Sequence, residues 1–544
     1  MSYLHRSGMK EKLSRRQLLS GVAAGTTVTL AGCTGGDSGD DTTSTDGTSS
    51  DGETTTKTYD ENQLEDQLTV ALPTDPTAGV WSVYGGVMPY YTNTLEPLIW
   101  VTDDMELQPW LASNWESTGE KSWEFTIRDG VKFHNGETLT AEHVVWSFET
   151  VLNEWSYAPG WLHVKPENVT ALDDRTVEFV TTDVFPTFPG TIAHNMVAIQ
   201  HPDRSRENKD VIGTGPYQVT NRKKGQRVET EAFNDYWNGD VQMQNLDFRV
   251  ITDPTTRSLA LENNEVDVAY SPPSSKIDSL SENSNTQVTK QTSPGAMYVG
   301  LHNYKEPTND VKLRKALNWA TSQKTLVDTI LNNVGLPARG PVAKSIYWSG
   351  HEKLPEYKRD VEKATSLVEE SAYDGQTLQF LVGSQTPSGR TIASALQEWY
   401  SEIGVDVAIK QVEESAFEDA VRSGGGHLVL ESSGSNSGAA DYLIYETFHS
   451  EGDVNERLYQ ENGTGVYNPG EEVDTLIEEG FQTGDKELKE EKYEEALRII
   501  MEDEASVVPL TYQQYVVGSY KDVENLDLRP INEMVRWPGT KHLK

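Results

Sequence analysis

The stretch TLQFLVGSQTPSGRTIASALQEWYSEIGVDVAIKQV, from Thr377 to Val412, decides the fold class. TLQFLVG reads as a strand, IASALQEWYSEIG as a helix and VDVAIKQV as a second strand. A strand–helix–strand unit of about thirty-five residues implies parallel strands with a crossover helix, and hence an α/β lobe. Working outward, LTVALP (Leu68 to Pro73), WEFTI (Trp123 to Ile127) and VEFVTT (Val177 to Thr182) are further strand-like runs. They alternate with helical patterns. In AEHVVWSFETVLN, residues Val144, Val145, Phe148, Val151 and Leu152 recur near the helical period, with Thr140 placed as a cap. In VKLRKALNWA, Leu313, Ala316, Leu317 and Ala320 form a similar stripe. No repeat of solenoid length is present.

The beginning of the chain reads differently. LSRRQLLSGVAAGTTVTLAGCTGGDSGDD, Leu13 to Asp41, is interrupted by Ser20, Thr26, Thr27 and Thr29. A spanning helix needs roughly 20 predominantly apolar residues, so this is expected to be an export signal rather than a span. Paired Arg15 and Arg16 before a weakly apolar stretch resemble a twin-arginine signal. Leu30-Ala31-Gly32-Cys33 looks like a lipobox, with Cys33, the single cysteine of the chain, as the lipid-bearing residue. The run from Thr34 to Asp60 is Gly, Ser, Thr and Asp, apart from Glu53 and Lys57, with no apolar residue before Tyr59, a composition that cannot offset ordering entropy and reads as a tether. Its Gly36-Asp37-Ser38-Gly39 mimics a serine-protease nucleophile segment without the rigid turn, base or oxyanion hole that chemistry needs.

Charge excludes whole classes of partner. The 544 residues carry a formal net charge of −39, from 46 Lys and Arg against 85 Asp and Glu. Nucleic acid is excluded, because its binding rests on phosphate neutralisation by basic residues. Docking on an anionic membrane surface is excluded on the same ground. Acids spread along the whole chain suit a protein working in molar salt, where self-repulsion is screened within about 3 Å, and point to a halophilic source. Enzyme classes lack their signatures: there is no His-Glu-x-x-His, no Cys–His cluster and no Gly-x-Ser-x-Gly. The chain is therefore expected to be no enzyme, with no metal site and no cofactor.

The ordered series LEPLIW (Leu95 to Trp100), PWLASNWE, WEFTIRDGVKFHNGETLTAEHVVWSFE, IGTGPY, FNDYWNG, ALENNEVDVA, DVKLRKALNWA, the Ala393 to Ile409 segment and VVPL (Val507 to Leu510) resembles one family. It is that of the extracytoplasmic solute-binding proteins of ABC importers, peptide/nickel class (family 5), here of a haloarchaeal twin-arginine lipoprotein type. The resemblance implies an α/β, two-lobed, periplasmic-binding-protein-like fold of type II with an extra domain in the first lobe. On that pattern 1–32 is the signal with lipobox and 33–65 a lipid-anchored tether. Lobe I is 66–95 with 201–294 and 511–544, the extra domain is 96–200, and lobe II is 295–510. It further implies a monomer on the extracellular face of the membrane. Ligand would be captured by hinge closure, and the partners would be a permease and an ATPase on other chains.

Site residues follow from the same resemblance. Asp441, in Ala440-Asp441-Tyr442, matches an Asp that pairs with a peptide's α-ammonium, although Gly438 stands where an aromatic residue is common and Leu443-Ile444 replace a polar-Pro pair. A buried ammonium needs such a charge partner. Tyr442 beside it, and Trp81, Tyr84 and Tyr91 of lobe I (with Tyr90), are candidate cleft aromatics. Peptides are the leading ligand class, with oligosaccharides and nickel chelates as alternatives. His134, in a turn between Phe133 and Asn135, reads as a structural hydrogen-bonder, and Gly213 of GTGP as a tight bend between lobes. Asn168 and Asn462 head glycosylation sequons.

Overall fold

The computed structural model describes residues 64–75, 91–155, 158–203, 211–384, 388–423, 425–435, 438–452, 470–531 and 534–543, with 386, 455 and 467. Residues 59–544 form one compact unit. The deciding stretch folds as read: strand Leu378–Gly383, helix Gly389–Glu402 and strand Val407–Val412, the two strands parallel with Leu378 opposite Val407. Ile392, Ala393, Leu396 and Tyr400 give that helix its buried stripe, as the 3.6-residue period requires.

This unit is one end of an 11-stranded sheet that runs through both lobes. The order on the second-lobe side is Val407–Val412, Leu378–Gly383, Leu428–Gly434 and then the long strand Thr286–Leu301. Beside it lies the equally long Val507–Tyr520, followed on the first-lobe side by Val268–Tyr270, Gln67–Leu72, Asn245–Val250, Arg227–Ala232 and Tyr217–Lys223. The two long strands pair antiparallel from Thr286 opposite Tyr520 to Gly300 opposite Val507. Their register shifts between Thr292 and Ala296 and again between Met297 and Tyr298. The expected junctions 294/295 and 510/511 thus fall inside continuous strands, at or near the bulges. Such bulges bend and twist a ladder locally.

The stretch between Trp110 and Ile199 carries a separate four-stranded sheet, ordered Ala112–Ser117, Ser122–Ile127, Thr176–Thr181, Val164–Ala171. Helix Ala141–Glu154 lays Val144, Phe148, Val151 and Leu152 against it, and Phe148 meets Phe179 edge-on at 4.8 Å. One apolar core joins this sheet to the first-lobe strands, including Leu68, Phe248 and Trp537. Among the described residues the second lobe has three clusters of its own, around Leu396, around Tyr493 and a small one around Leu381. Each fully buried large apolar side chain contributes about 1.5–3 kcal/mol.

Gly213 and Gly215 serve a purpose other than the expected bend. Neither has a left-handed φ; instead, a Cβ at Gly213 would lie 2.0 Å from Thr94 O and one at Gly215 2.1 Å from Asn93 O. Only a bare backbone can approach the 93–94 main chain so closely. His134 locks the same corner, its Nδ1 accepting from Gly213 N–H at 3.3 Å and its Nε2 lying 2.9 Å from Gly215 O. Burial pushes its pKa down to about 4, so it stays neutral. Among the described residues no helix is long and apolar enough to cross a membrane. The amide nitrogen of Asn168 donates to Val180 O at 3.1 Å; Asn462 lies outside the described residues.

Candidate functional site: the interlobe face

The two lobes meet at a crossover, where the paired long strands Thr286–Leu301 and Val507–Tyr520 pass from one half of the sheet to the other. At the first bulge a Cβ on Gly295 would lie 2.3 Å from Gln513 Oε1, and the same oxygen accepts from Ser432 Oγ at 3.1 Å. The segment after Gly335 starts here: Gly335 N–H donates to Gln514 Oε1 at 3.0 Å, and Leu336–Pro337 pairs with the 511–512 backbone. It then passes Ser345, whose Oγ donates to Ser293 O at 3.3 Å, and reaches Tyr347, whose hydroxyl lies 3.5 Å from Glu106 Oε1. Glu106 belongs to the first-lobe side, so this segment runs from the crossover to the rim where the lobes touch. Tyr347 N–H donates to Gly438 O at 3.1 Å.

That rim gives a physical reason for the unusual glycine. Gly438 has φ +77°, and a Cβ there would stand 2.6 Å from Met105 O. An aromatic side chain cannot occupy a position where even a methylene collides with the facing backbone. A second contact is aromatic: Phe481 of the second lobe stacks on Phe185, centroids 5.0 Å apart and planes 13° apart, and is buried in the first-lobe core.

Asp441 opens helix Asp441–Phe448 and is almost wholly buried. Its carboxylate is paired through Oδ1 with the ammonium of Lys489 and accepts from Tyr493 O–H at 2.9 Å. Lys489 is 1% exposed, and its Nζ lies 5.1 Å from the Trp348 ring. The position expected to receive a ligand's ammonium therefore holds one from its own chain, and burial leaves no open face toward solvent. Burial pushes the Asp441 carboxyl above the ordinary aspartate range, opposed by Lys489. Tyr442 follows on the first helical turn, half-buried. Tyr91 is a core residue, edge-on to Tyr270 at 5.0 Å. Trp81, Tyr84, Tyr90, Cys33, Arg15 and Arg16 lie outside the described residues.

Two clusters escaped the sequence reading. Glu96, in LEPLIW, is buried and accepts four hydrogen bonds. Trp110 Nε1 (2.9 Å) and Tyr236 O–H (2.9 Å) donate to Oε1, while Trp237 Nε1 (3.0 Å) and Thr214 O–H (2.8 Å) donate to Oε2. The other cluster, Glu137, His143 and His201, brings one ligand-capable atom from each residue within 4.8 Å of the others. Its hydrogen bonds do not fit a metal. Thr140 N–H donates to His143 Nδ1 (3.2 Å) and Asp203 N–H to His201 Nδ1 (3.1 Å). Each Nε2 must then carry the proton that it directs at a Glu137 oxygen, at 3.4 and 3.0 Å. A metal would take the Nε2 lone pair and force Nδ1–H against a main-chain N–H. The trio clasps the start of helix Ala141–Glu154 to the segment around His201.

With this geometry in view, the comparisons with known proteins are specific. Residues 106–455 match the family model of bacterial extracellular solute-binding proteins, family 5, middle region. The chain belongs to that family, the solute-binding receptors of ABC importers, whose members here are binding proteins rather than enzymes and work outside the cytoplasm. It is similar to the probable D,D-dipeptide-binding periplasmic protein DdpA of Escherichia coli K12: 26% identical over 440 residues, 78% of this chain and 83% of that protein. It is also similar to the nickel-binding periplasmic protein of the same organism, 27% identical over 480 residues, 82% and 89% of the two chains. Among solved structures, the periplasmic binding protein DppA of Helicobacter pylori, in complex with the peptide STSA, superposes with a TM-score of 0.73 at 21% identity. The alignment covers 89% of this chain and 99% of that one. The fold is the two-lobed α/β type II binding-protein fold.

Proposed function

We propose that this protein is the cell-surface peptide receptor of an ABC importer, closing its lobes over oligopeptides or dipeptides and delivering them to a membrane permease. The observation that carries the mechanism is the crossover: both lobes hang on two adjacent strands whose register shifts at the same level, which gives closure a defined axis. The peptide class draws on the relatives, two of the three above being described by the peptides they bind. In this reading the chain leaves the cytoplasm by its twin arginines, Arg15 and Arg16. It is held at the outer face by lipid on Cys33, and its acidic surface suits molar salt.

Asp441 holds helices of the second lobe together rather than touching ligand, since Lys489 already satisfies its charge. Thermal unfolding in molar salt, against peptides, oligosaccharides and nickel chelates, tests the ligand class. A ligand at 100 times its dissociation constant adds about 2.7 kcal/mol to the folded state. Peptides alone are expected to raise the midpoint; a rise with sugars or chelates alone overturns the peptide reading. Cys33→Ser is expected to release the protein into the medium, and its retention on membranes would overturn the lipid anchor.

A further inference from the structure

We propose that Phe481 is a latch that holds the second lobe against the 110–199 domain of the first, so that the two-lobed body closes without a ligand. The inference goes beyond the receptor reading, in which closure accompanies capture. It starts from a stripe. On helix Glu471–Gln482, Val473, Ile477 and Phe481 recur at the four-residue spacing of one helical face. Val473 and Ile477 lie in the second-lobe core around Tyr493. Phe481, one turn further on, belongs instead to the first-lobe core. The last turn of the helix therefore reaches across the divide.

It reaches a socket of rings. Besides its flat stack on Phe185, the Phe481 ring lies 5.6 Å from the His163 ring and 5.6 Å from that of Tyr445. Tyr445 in turn stacks on His449, centroids 4.4 Å apart and planes 9° apart. The rings form one column, His449, Tyr445, Phe481 and Phe185, with the lobe boundary between the last two. Each side is tied to its own lobe: His449 Nε2 lies 3.2 Å from Glu478 Oε1, and His163 Nδ1 lies 3.2 Å from Asp183 Oδ2. The helix that carries Phe481 is seated closely on its neighbour, since a Cβ on Gly480 would lie 2.5 Å from the Tyr493 ring.

Neither Phe481 nor Phe185 stands on the two crossover strands, so rotation about the crossover parts the two rings and wets both. Burial of a large apolar side chain and pairing of aromatic rings both favour keeping them together. The column is made of the chain's own side chains, so its contribution is present before any ligand arrives. It shifts the population toward the closed form: closure then costs a ligand less, and departure waits on parting the rings.

The structure supplies its own probe of closure. A Cβ on Gly484, just past the helix, would lie 4.0 Å from Pro186 Cβ, inside the range of about 3.5–4.5 Å that a disulfide spans. The experiment places Pro186→Cys and Gly484→Cys in the whole chain carrying Cys33→Ser, dialysed free of solute and checked by native mass spectrometry. The expected result is a disulfide that forms with no ligand added, and X-ray scattering that is the same for the reduced and the locked protein. Adding Phe481→Ala or Phe185→Ala should slow disulfide formation several-fold and make the reduced protein scatter as a larger particle. Both together should do no more than the stronger of the two, because they remove one contact. A pair that cross-links only when peptide is added, or a reduced protein larger than its locked form, overturns the latch without any latch variant having to fold. So does a Phe481→Ala protein that cross-links and scatters as its parent does. All of this is read without ligand, so its failure leaves the receptor reading to be decided by ligand titration alone.

Discussion

Each lobe buries a carboxylate, and the two are satisfied in opposite ways. Glu96 of the first lobe is ringed by four neutral donors, two indoles and two hydroxyls, with both oxygens engaged. Asp441 of the second lobe takes a full counter-charge from Lys489 and a single hydroxyl, and leaves Oδ2 without a partner. Burial raises the pKa of both carboxyls. The first solution spreads a charge over dipoles. The second cancels it with another ion, which must itself be desolvated.

This contrast predicts an order of sensitivities. The largest effect is expected from Lys489→Met, which strands Asp441 as an uncompensated buried charge and should cost about 3–5 kcal/mol in denaturant unfolding. The double variant Asp441→Asn/Lys489→Met should recover most of that loss; a double variant as weak as the single would show that packing, not charge, carries the site.

Glu96→Gln comes next, at about 2 kcal/mol. Either orientation of the amide sets its NH2 against one indole N–H, which cannot turn round to accept. Because the folded-state pKa of Glu96 is raised, its protonation favours the fold. That contribution is full below the ordinary glutamate value of 4.5 and is lost as pH rises through the raised value. The stability gap between wild type and Glu96→Gln should therefore narrow from acid to neutral pH. A gap that widens would mean that the four donors outweigh burial.

The smallest effect belongs to an exposed carboxylate. Tyr347→Phe removes the 3.5 Å contact to Glu106 and should change the midpoint by no more than about 0.5 kcal/mol.

The fold was legible because it is written locally. The 377–412 unit, the helix at Ala141–Glu154 and that at Val311–Ala320 each show their period within a dozen residues. The clusters were not, because their members are distant in the chain. The donors to Glu96 stand 14 to 141 residues away, and nothing in LEPLIW reveals them. For Asp441 a signal did exist. KELKEEKYEEALR looks like a solvated charged face, yet Lys489, Tyr493, Ala496 and Leu497 fall on its one buried stripe. A lysine on an apolar stripe calls for a buried acid, and Asp441 is that acid. In the sequence the glycines of GTGP suggest freedom to bend, whereas proximity to the 93–94 backbone is what forbids a side chain there.

The shared sheet also bears on how the molecule comes apart. Receptors whose lobes are joined by loops can lose one lobe while the other stays folded. Here each of the two middle strands is hydrogen-bonded into both halves, so melting either lobe frays the edge on which its neighbour's ladder is built. The cooperative unit is then the whole two-lobed body, and its heat-capacity trace should be one peak rather than two.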